Sequence, residues 1–217
     1  MRITHLGHAC LLVEVADQRV LIDPGNFSRD FTQVTDLDAI LVTHQHADHL
    51  DQERLPALLD ANPEARLLTD PDSARILDGK GLPAQAMTSG ELVAIGPVEV
   101  TPVGRLHAFN HPGVPTIRNT GLVLRADGEP TLFHPGDAYD ADPGGRVDVL
   151  AVPLSAPWTP VRDTIEFVAR IGASTVIPVH DALLSPPGRA MYLMHVGNFA
   201  GDDLRVADLG DGTPATF

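Results

Sequence analysis

The chain predicts an α+β fold in which two β-sheets pack face to face and helices cover them. Its 217 residues read as two similar halves, each rich in short strands with helices interleaved, a pattern that suits packed sheets under helical layers. The strands are apolar and β-prone, and Gly and Pro punctuate the turns between them. No linker, repeat or low-complexity tract interrupts the sequence, so residues 1–217 are expected to form one domain with a substantial core.

The elements follow in order. Ile3 to Leu6, Cys10 to Val15 and Arg19 to Ile22 read as three short strands joined by tight turns. Ala39 to Val42 is a buried strand. Gln52 to Asp60 reads as a helix stopped near Asn62-Pro63, and Ala65 to Thr69 as a strand. Pro71 to Leu77 is a helix with Pro at its start and Gly79 beyond its end. Glu91 to Ile95 and Val98 to Val103 form a hairpin around Gly96-Pro97. Thr120 to Arg125 and Thr131 to Phe133 form another around Asp127-Gly128. Val147 to Val152 is a strand. Thr159 to Ile171 is the strongest helix, with Val161, Ile165, Val168, Ala169 and Ile171 at helical spacing. A strand from Thr175 to Val179, a helix around Gly188 to Val196 and a strand from Leu204 to Leu209 complete the reading.

Composition narrows the function classes. A hydrophobic content of 43% with 20% charged residues is that of a globular protein. The formal charge of −14, with Lys80 the only lysine, disfavours nucleic acid, which needs clustered cationic side chains. No apolar run approaches the ~20 residues that span a bilayer. Met1-Arg2-Ile3-Thr4-His5 runs straight into a strand without a basic-then-apolar leader, so a cytoplasmic protein that binds neither membrane nor nucleic acid is expected. Cys10, the single cysteine, can form no internal disulfide and reads as a small core residue.

The chemistry is concentrated in Thr43-His44-Gln45-His46-Ala47-Asp48-His49, where an apolar strand runs into a turn. Imidazole and carboxylate together suit zinc, manganese or iron. His44 and His46, two apart, cannot share a helix face but can converge on one ion from an extended or tight-turn segment. Asp48 and His49 follow at once and can reach a second ion beside it.

This stretch resembles the HxHxDH signature of the metallo-β-lactamase superfamily, and the resemblance extends over nearly the whole chain. It implies a four-layer αββα sandwich of two mixed sheets and two divalent metal ions, zinc foremost, with manganese or iron compatible. By that resemblance His44 and His46 hold the first metal with a later His, and Asp48 and His49 hold the second with a last His. A bridging Asp serves both. Asp137, in the Gly-Asp turn of Thr131-Leu132-Phe133-His134-Pro135-Gly136-Asp137, matches the bridge. His180, after the strand Ser174 to Val179, matches the last His. His107, at the end of a β-like run, is the preferred third ligand of the first metal, with His111 as competitor.

Two adjacent divalent ions can share a hydroxide, because each lowers the pKa of bound water, from about 15.7 to near 7 for the best-studied zinc site. No Ser or Cys nucleophile is then needed. The second ion can polarise a carbonyl or phosphoryl oxygen. Asp48 is the candidate catalytic residue, ligating the second metal and orienting or accepting the proton of the hydroxide. Asp23, in Ile22-Asp23-Pro24-Gly25, resembles the family's DPG carboxylate that hydrogen-bonds near a ligating His. His8, in Gly7-His8-Ala9, resembles a turn of the ascorbate-6-phosphate lactonase branch, where it would lie on the rim and touch substrate. His134 is positioned for support. His5 and His195 read as structural. Trp158, between a strand and the long helix, can line a pocket or cap the helix. Arg118, in a Pro-containing loop with Asn110, His111 and Asn119, can clamp an anionic group.

Together these readings point to a binuclear hydrolase acting on an ester, lactone, amide or phosphodiester of a small molecule. The alternative is a non-catalytic metal-binding or sensor domain of the same fold. The superfamily's diiron oxidoreductases replace the second signature His by Glu; here that position is His46. A homo-oligomer is compatible with the resemblance.

Overall fold

A computed structural model describes residues 1–217. Its strands are β1 (Arg2–His5), β2 (Leu11–Val15), β3 (Gln18–Ile22), β4 (Ala39–Val42), β5 (Arg66–Thr69), β6 (Gln85–Ala86), β7 (Val93–Ile95), β8 (Val98–Val103), β9 (Gly121–Arg125), β10 (Leu132–His134), β11 (Val149–Pro153), β12 (Thr175–Val179), β13 (Arg205–Val206) and β14 (Ala215–Thr216). The helices are α1 (Leu55–Ala61), α2 (Pro71–Asp78), α3 (Val161–Ile171) and α4 (Pro186–Phe199). The strands form two seven-stranded sheets, in the orders β14-β1-β2-β3-β4-β5-β6 and β13-β12-β11-β10-β9-β8-β7. Each sheet has three antiparallel pairings and then three parallel ones. The two halves read from the sequence are therefore the two sheets, and both are mixed.

Three apolar clusters hold the layers together. The largest, of 24 buried residues, lies between the sheets and includes Ile3, Val13, Ile22 and Leu41 from one and Val100, Leu122, Ala151 and Ile177 from the other. A second sets Phe133, Leu150 and Val176 against Phe167 and Val168 of α3 and Val196 of α4. A third sets Leu21, Ile40 and Leu67 against Leu55 and Leu58 of α1 and Leu77 of α2. Strands buried on both faces, such as β4, β11 and β12, are apolar along their whole length for this reason. No helix is long and apolar enough to cross a membrane.

Element boundaries differ from the sequence reading where capping chemistry intervenes. The first helix begins at Leu55 and not Gln52, because Asp51 Oδ1 accepts the backbone N–H groups of Glu53 and Arg54 at 3.0 and 3.1 Å and holds that stretch as a turn. Helix α3 begins at Val161, since Pro160 is extended and acts as its N-cap, and it ends at Gly172 in the left-handed region. Asp70 caps α2 through Asp72 N and Ser73 N. The last predicted strand shortens to Arg205–Val206, because Asp208 turns away to pair with Arg189. The two-residue edge strands β6 and β14 and the single 3-10 turn Phe31–Gln33 carry no periodicity to read.

Candidate metal centre

The parallel strands of both sheets deliver the chemistry. Beyond β4 the chain enters Thr43 and then the turn 44–49, closed by His49 N and Leu50 N donating to His46 O at 2.9 and 2.8 Å. The segment after β3 zips onto this turn. Asn26 N donates to Ala47 O at 2.7 Å and Asp51 N to Pro24 O at 3.0 Å. Gly25 sits so close that a Cβ there would meet Asp48 O at 1.7 Å. From the other sheet, β10 leads to Asp137, β11 to Ser155 and β12 to His180.

Asp23 is the hub beneath the turn. Its Oδ1 accepts Thr43 N at 2.7 Å, and its Oδ2 accepts Thr43 Oγ1 at 2.8 Å and His49 Nδ1 at 2.7 Å. It is fully buried, with φ of 48°, in the left-handed region that also holds His8 and His180. Three non-glycine residues in this region around one centre mark backbone strain that the surrounding hydrogen bonds sustain. Asn119 locks the opposite turn. Its Oδ1 accepts Asp137 N at 2.9 Å and its Nδ2 donates to Pro135 O at 2.9 Å. Gly136 has φ of 61°, and a Cβ on it would lie 2.2 Å from Asn119 Oδ1.

Hydrogen bonds fix which nitrogen of each ring is bare. His107 Nδ1 lies 2.7 Å from Ala108 O, His180 Nδ1 2.8 Å from Ser155 O and His49 Nδ1 2.7 Å from Asp23 Oδ2. These oxygens can only accept, so each Nδ1 carries the proton and each neutral ring leaves Nε2 bare. His44 follows the same rule: Thr43 Oγ1 gives its proton to Asp23 and accepts from His44 Nδ1 at 3.0 Å. His46 turns its Nδ1 towards His44 Nε2, 3.1 Å away. His8 is the reverse case. Its Nδ1 accepts Ala182 N at 3.3 Å, so its Nε2 carries the proton and donates to Asp48 Oδ2 at 3.1 Å.

Two groups of side chains could each hold a cation, with donor atoms within 4.8 Å of one another: His44, His46, His107 and Asp137, and His8, Asp48, His49 and His180. Asp137 also lies against the second group, its Oδ1 3.1 Å from His49 Nε2 and its Oδ2 3.2 Å from His180 Nε2. His107 Nε2 is 3.3 Å from Asp137 Oδ2, and His180 Nε2 is 3.4 Å from Asp48 Oδ2. Bonds of about 2.0–2.1 Å in a tetrahedron place neighbouring donors about 3.3 Å apart, which is the spacing found. His49 Nε2, His180 Nε2 and Asp137 Oδ1 are buried with no well-aligned hydrogen bond and face only one another and Asp48, a convergence of donor atoms that a cation would engage. On geometry and donor chemistry the residues fit a pair of metal ions. By its tautomer, His8 belongs to this cluster as support for Asp48 and not as a bare donor.

The electrostatics agree. Burial would raise Asp137, but His49 and then His180 outweigh it and hold the carboxyl well below its usual range. Burial likewise pushes Asp48 up, and hydrogen bonds from His180 and His8 reverse the effect. Burial lowers His49, yet Asp137 and Asp23 on either side raise it well above an ordinary His. His180 is raised to about 9 by Asp137 and Asp48 against its burial. His44, whose burial is reinforced by His49, is lowered well below the usual value and stays a neutral donor. Two ionised carboxylates among these rings favour positive charge, carried either by a proton on His49 or His180 or, with those rings neutral, by a cation.

Other sequence-stretch candidates fall in different places. His111 is exposed, its Nδ1 accepting Gly113 N at 3.0 Å, and it lies outside both groups. Arg118 pairs through Nε with Asp72 Oδ2 at 3.4 Å and lines, with Arg105, a cavity of about 250 Å³ whose lining includes none of the two candidate cation groups. His8, expected at the rim, is buried at 1% exposure and lines a cavity of about 470 Å³. Trp158 lines a cavity and donates Nε1–H to Asp137 Oδ2 at 3.0 Å. His134 supports the Gly136 turn, Nδ1 accepting Gly136 N, while its Nε2 reaches Ala9 O. His5 holds His8 from behind, Nε2 to His8 O at 2.8 Å, and His195 stacks on Phe199 of α4. The contributions of Thr43 and Asn119 were not assigned from sequence. A single hydroxyl or amide beside a ligand leaves no spacing signal, although Asn119-Thr120-Gly121 stood at the right junction.

The fold and its two candidate cation groups are those of a metal-dependent hydrolase of the metallo-β-lactamase type. The chain belongs to the metallo-β-lactamase superfamily: the family described as "Beta-lactamase superfamily domain" matches residues 2–180. It is 40% identical over 218 residues, the whole of both chains, to Protein Rv0786c of Mycobacterium tuberculosis. It is 33% identical to a UPF0173 metal-dependent hydrolase of Methanoregula boonei, covering 83% of this chain and 82% of that one. Among solved structures, Igni18, a metallo hydrolase of Ignicoccus hospitalis, superposes with a TM-score of 0.77 at 19% identity, over 100% of this chain and 97% of that one. YhfI of Bacillus subtilis, a metallo-β-lactamase fold protein, gives 0.75 at 17% identity over 99% and 98%. At such identities the two structures share the fold.

Proposed function

We propose that the protein is a binuclear hydrolase that cleaves an ester, lactone, amide or phosphodiester bond of a small molecule, with zinc as the first candidate metal. His44, His46, His107 and Asp137 would hold one ion, and Asp48, His49, His180 and Asp137 the other. A bound pair of divalent cations supplies ionised water at neutral pH and a Lewis acid for the oxygen of the scissile group. The single observation that carries this reading is the set of bare ring nitrogens, each turned inward by an Nδ1 proton committed elsewhere and spaced 3.1–3.4 Å from a neighbouring donor.

The chain's own residues have distinct tasks. Asp23, Ala108 O and Ser155 O orient the rings of His49, His107 and His180. Asp48 is the carboxylate placed to take a proton and release it to solvent, its side chain being 24% exposed against 4% for Asp137. His8 donates to Asp48 Oδ2 and keeps that carboxylate aimed. Trp158 covers Asp137 and shields it from water.

The test is metal analysis with turnover of a panel of nitrophenyl esters, bis-nitrophenyl phosphate, lactones and nitrocefin. His46→Ala and Asp137→Ala are expected to lose metal and hydrolysis together with the circular dichroism of the wild type retained. Full turnover by either variant with its metals absent would overturn the mechanism. Two bound ions with no turnover on any substrate class would favour the non-catalytic metal-binding alternative.

A further inference from the structure

A cavity of about 670 Å³ opens beside His107, and its chemistry bears on what the hydrolase accepts. His107 is flanked in the chain by Leu106 and Phe109, which line this cavity and are 53% and 66% exposed. Large apolar side chains left in water around a site mark a surface that another apolar group covers. The facing aromatic wall is rigid. Trp158 meets Tyr139 edge-to-face with ring centres 4.9 Å apart, and Tyr139 stacks on Phe167 at 4.4 Å. Tyr139 is further pinned by its hydroxyl, which donates to Pro153 O at 2.5 Å. The same Trp158 donates to Asp137 Oδ2, so the wall touches the residue between the two cation groups.

The charges around the cavity point the same way. Asp140, Asp163 and Glu166 lie among its lining residues, against Arg170 alone. Arg170 is engaged elsewhere: its Nη2 donates to the carbonyls of Tyr139 and Ala141, and its guanidinium lies over the Phe167 ring at 5.3 Å. Asp163 pairs with Arg162, and the three carboxylates of the lining outnumber its one arginine. The arginines that could bind a phosphate, Arg105 and Arg118, line a different cavity.

We propose that the substrate carries, beyond its scissile bond, a flat apolar group that is neutral or cationic, and that this group lies between Trp158 and Phe109 under the Asp140 and Glu166 rim. The carboxylates of the lining disfavour a phosphorylated or carboxylated group at that position. This specificity rests on the hydrolase reading above, since the scissile bond must sit at the cation pair.

Hydroxamates separate the two ideas, because the head group binds metal and the tail can be varied. On the metal-loaded protein, 3-phenylpropanohydroxamate is compared with its para-trimethylammonium and para-carboxylate derivatives, read by fluorescence of Trp158, the only tryptophan. The neutral and cationic tails are expected to bind roughly tenfold more tightly than the anionic one, the order that one charge pair at a solvent edge supplies. Phe109→Ala should weaken all three aromatic tails and leave acetohydroxamate, measured by displacement, unchanged. Asp140→Asn with Glu166→Gln should abolish the difference between cationic and anionic tails and spare the neutral one. Tightest binding by the carboxylate tail, or indifference of all tails to Phe109→Ala, overturns the proposal while leaving the metal centre standing. Failure of acetohydroxamate to bind at all removes the metal reading, and the proposal falls with it.

Discussion

Asp23 grips His49 from behind, Oδ2 to Nδ1 at 2.7 Å, with both side chains 1% exposed or less. Because the same carboxylate also takes the N–H and hydroxyl of Thr43, one residue fixes both the tautomer of a ligand and the path of the loop that carries it. Asp23→Asn keeps a side chain that tolerates the left-handed backbone but places an amide where a charge was. Metal affinity is expected to fall about 10–100-fold, as for other partners of metal-bound His. Competition titration against a chromogenic chelator measures it, and an unchanged affinity would show that His49 needs no such support.

Gly25 has no room for a methyl group. A Cβ would fall 1.7 Å from Asp48 O and 2.5 Å from His49 N, both backbone atoms that cannot rotate aside. Gly25→Ala must therefore displace the 44–49 turn. A loss of about 1–3 kcal/mol is expected from the overpacking alone, with metal stoichiometry below that of the wild type. Denaturant titration and metal analysis report the two effects separately, and wild-type values in both would contradict the close approach.

Much of this was legible because the candidate ligands follow strands whose apolar runs are unmistakable. β8 and β12 fall on the residues their patterns mark, and the signature His44, His46, Asp48 and His49 stands in a turn right after β4. Legibility fails where geometry depends on the other half of the chain. Whether His107 or His111 meets His44 is decided by the bridge between Leu106 and Arg118, which closes the loop and leaves His111 outside. The burial of His8 depends on Ala182 and Asp48, residues 174 and 40 positions away. The ion pair of Arg118 is equally illegible in sequence, since its partner Asp72 lies on a helix of the opposite half.

That loop geometry separates the two histidines experimentally. His107→Ala removes a bare Nε2 facing Asp137 and should lower bound metal by about one ion per chain, because a tetrahedral site loses a ligand. His111→Ala should leave metal content and turnover as in the wild type. Metal loss in the second variant and not the first would exchange their roles.

Arg118→Ala tests whether that side chain serves substrate or only its ion pair. Its contact with Asp72 is a partly exposed ion pair at 3.4 Å, of a kind that contributes about 0–1 kcal/mol. Stability should therefore change by no more than that, and KM for any ester found to be a substrate should hold. A large rise in KM with kcat unchanged would return Arg118 to substrate binding.

Chelation should show how far the cluster depends on its cations. Without them His49 Nε2 and His180 Nε2 have only the carboxylates of Asp137 and Asp48 to face, at 3.1–3.4 Å. Yet the three apolar clusters, the largest of 24 residues, need no ion to stay packed. The metal-free protein should accordingly stay folded and melt cooperatively at a lower temperature. At a free ion concentration 100 times its Kd, one ion adds about 2.7 kcal/mol, and each kcal/mol moves the midpoint by roughly 2–4 °C at this chain length. One tightly held ion is thus worth about 5–11 °C, and a second adds to it. Differential scanning calorimetry before and after dialysis against a chelator, then after adding back zinc, measures the shift. An identical midpoint in all three states would mean that the buried donors are satisfied without any ion.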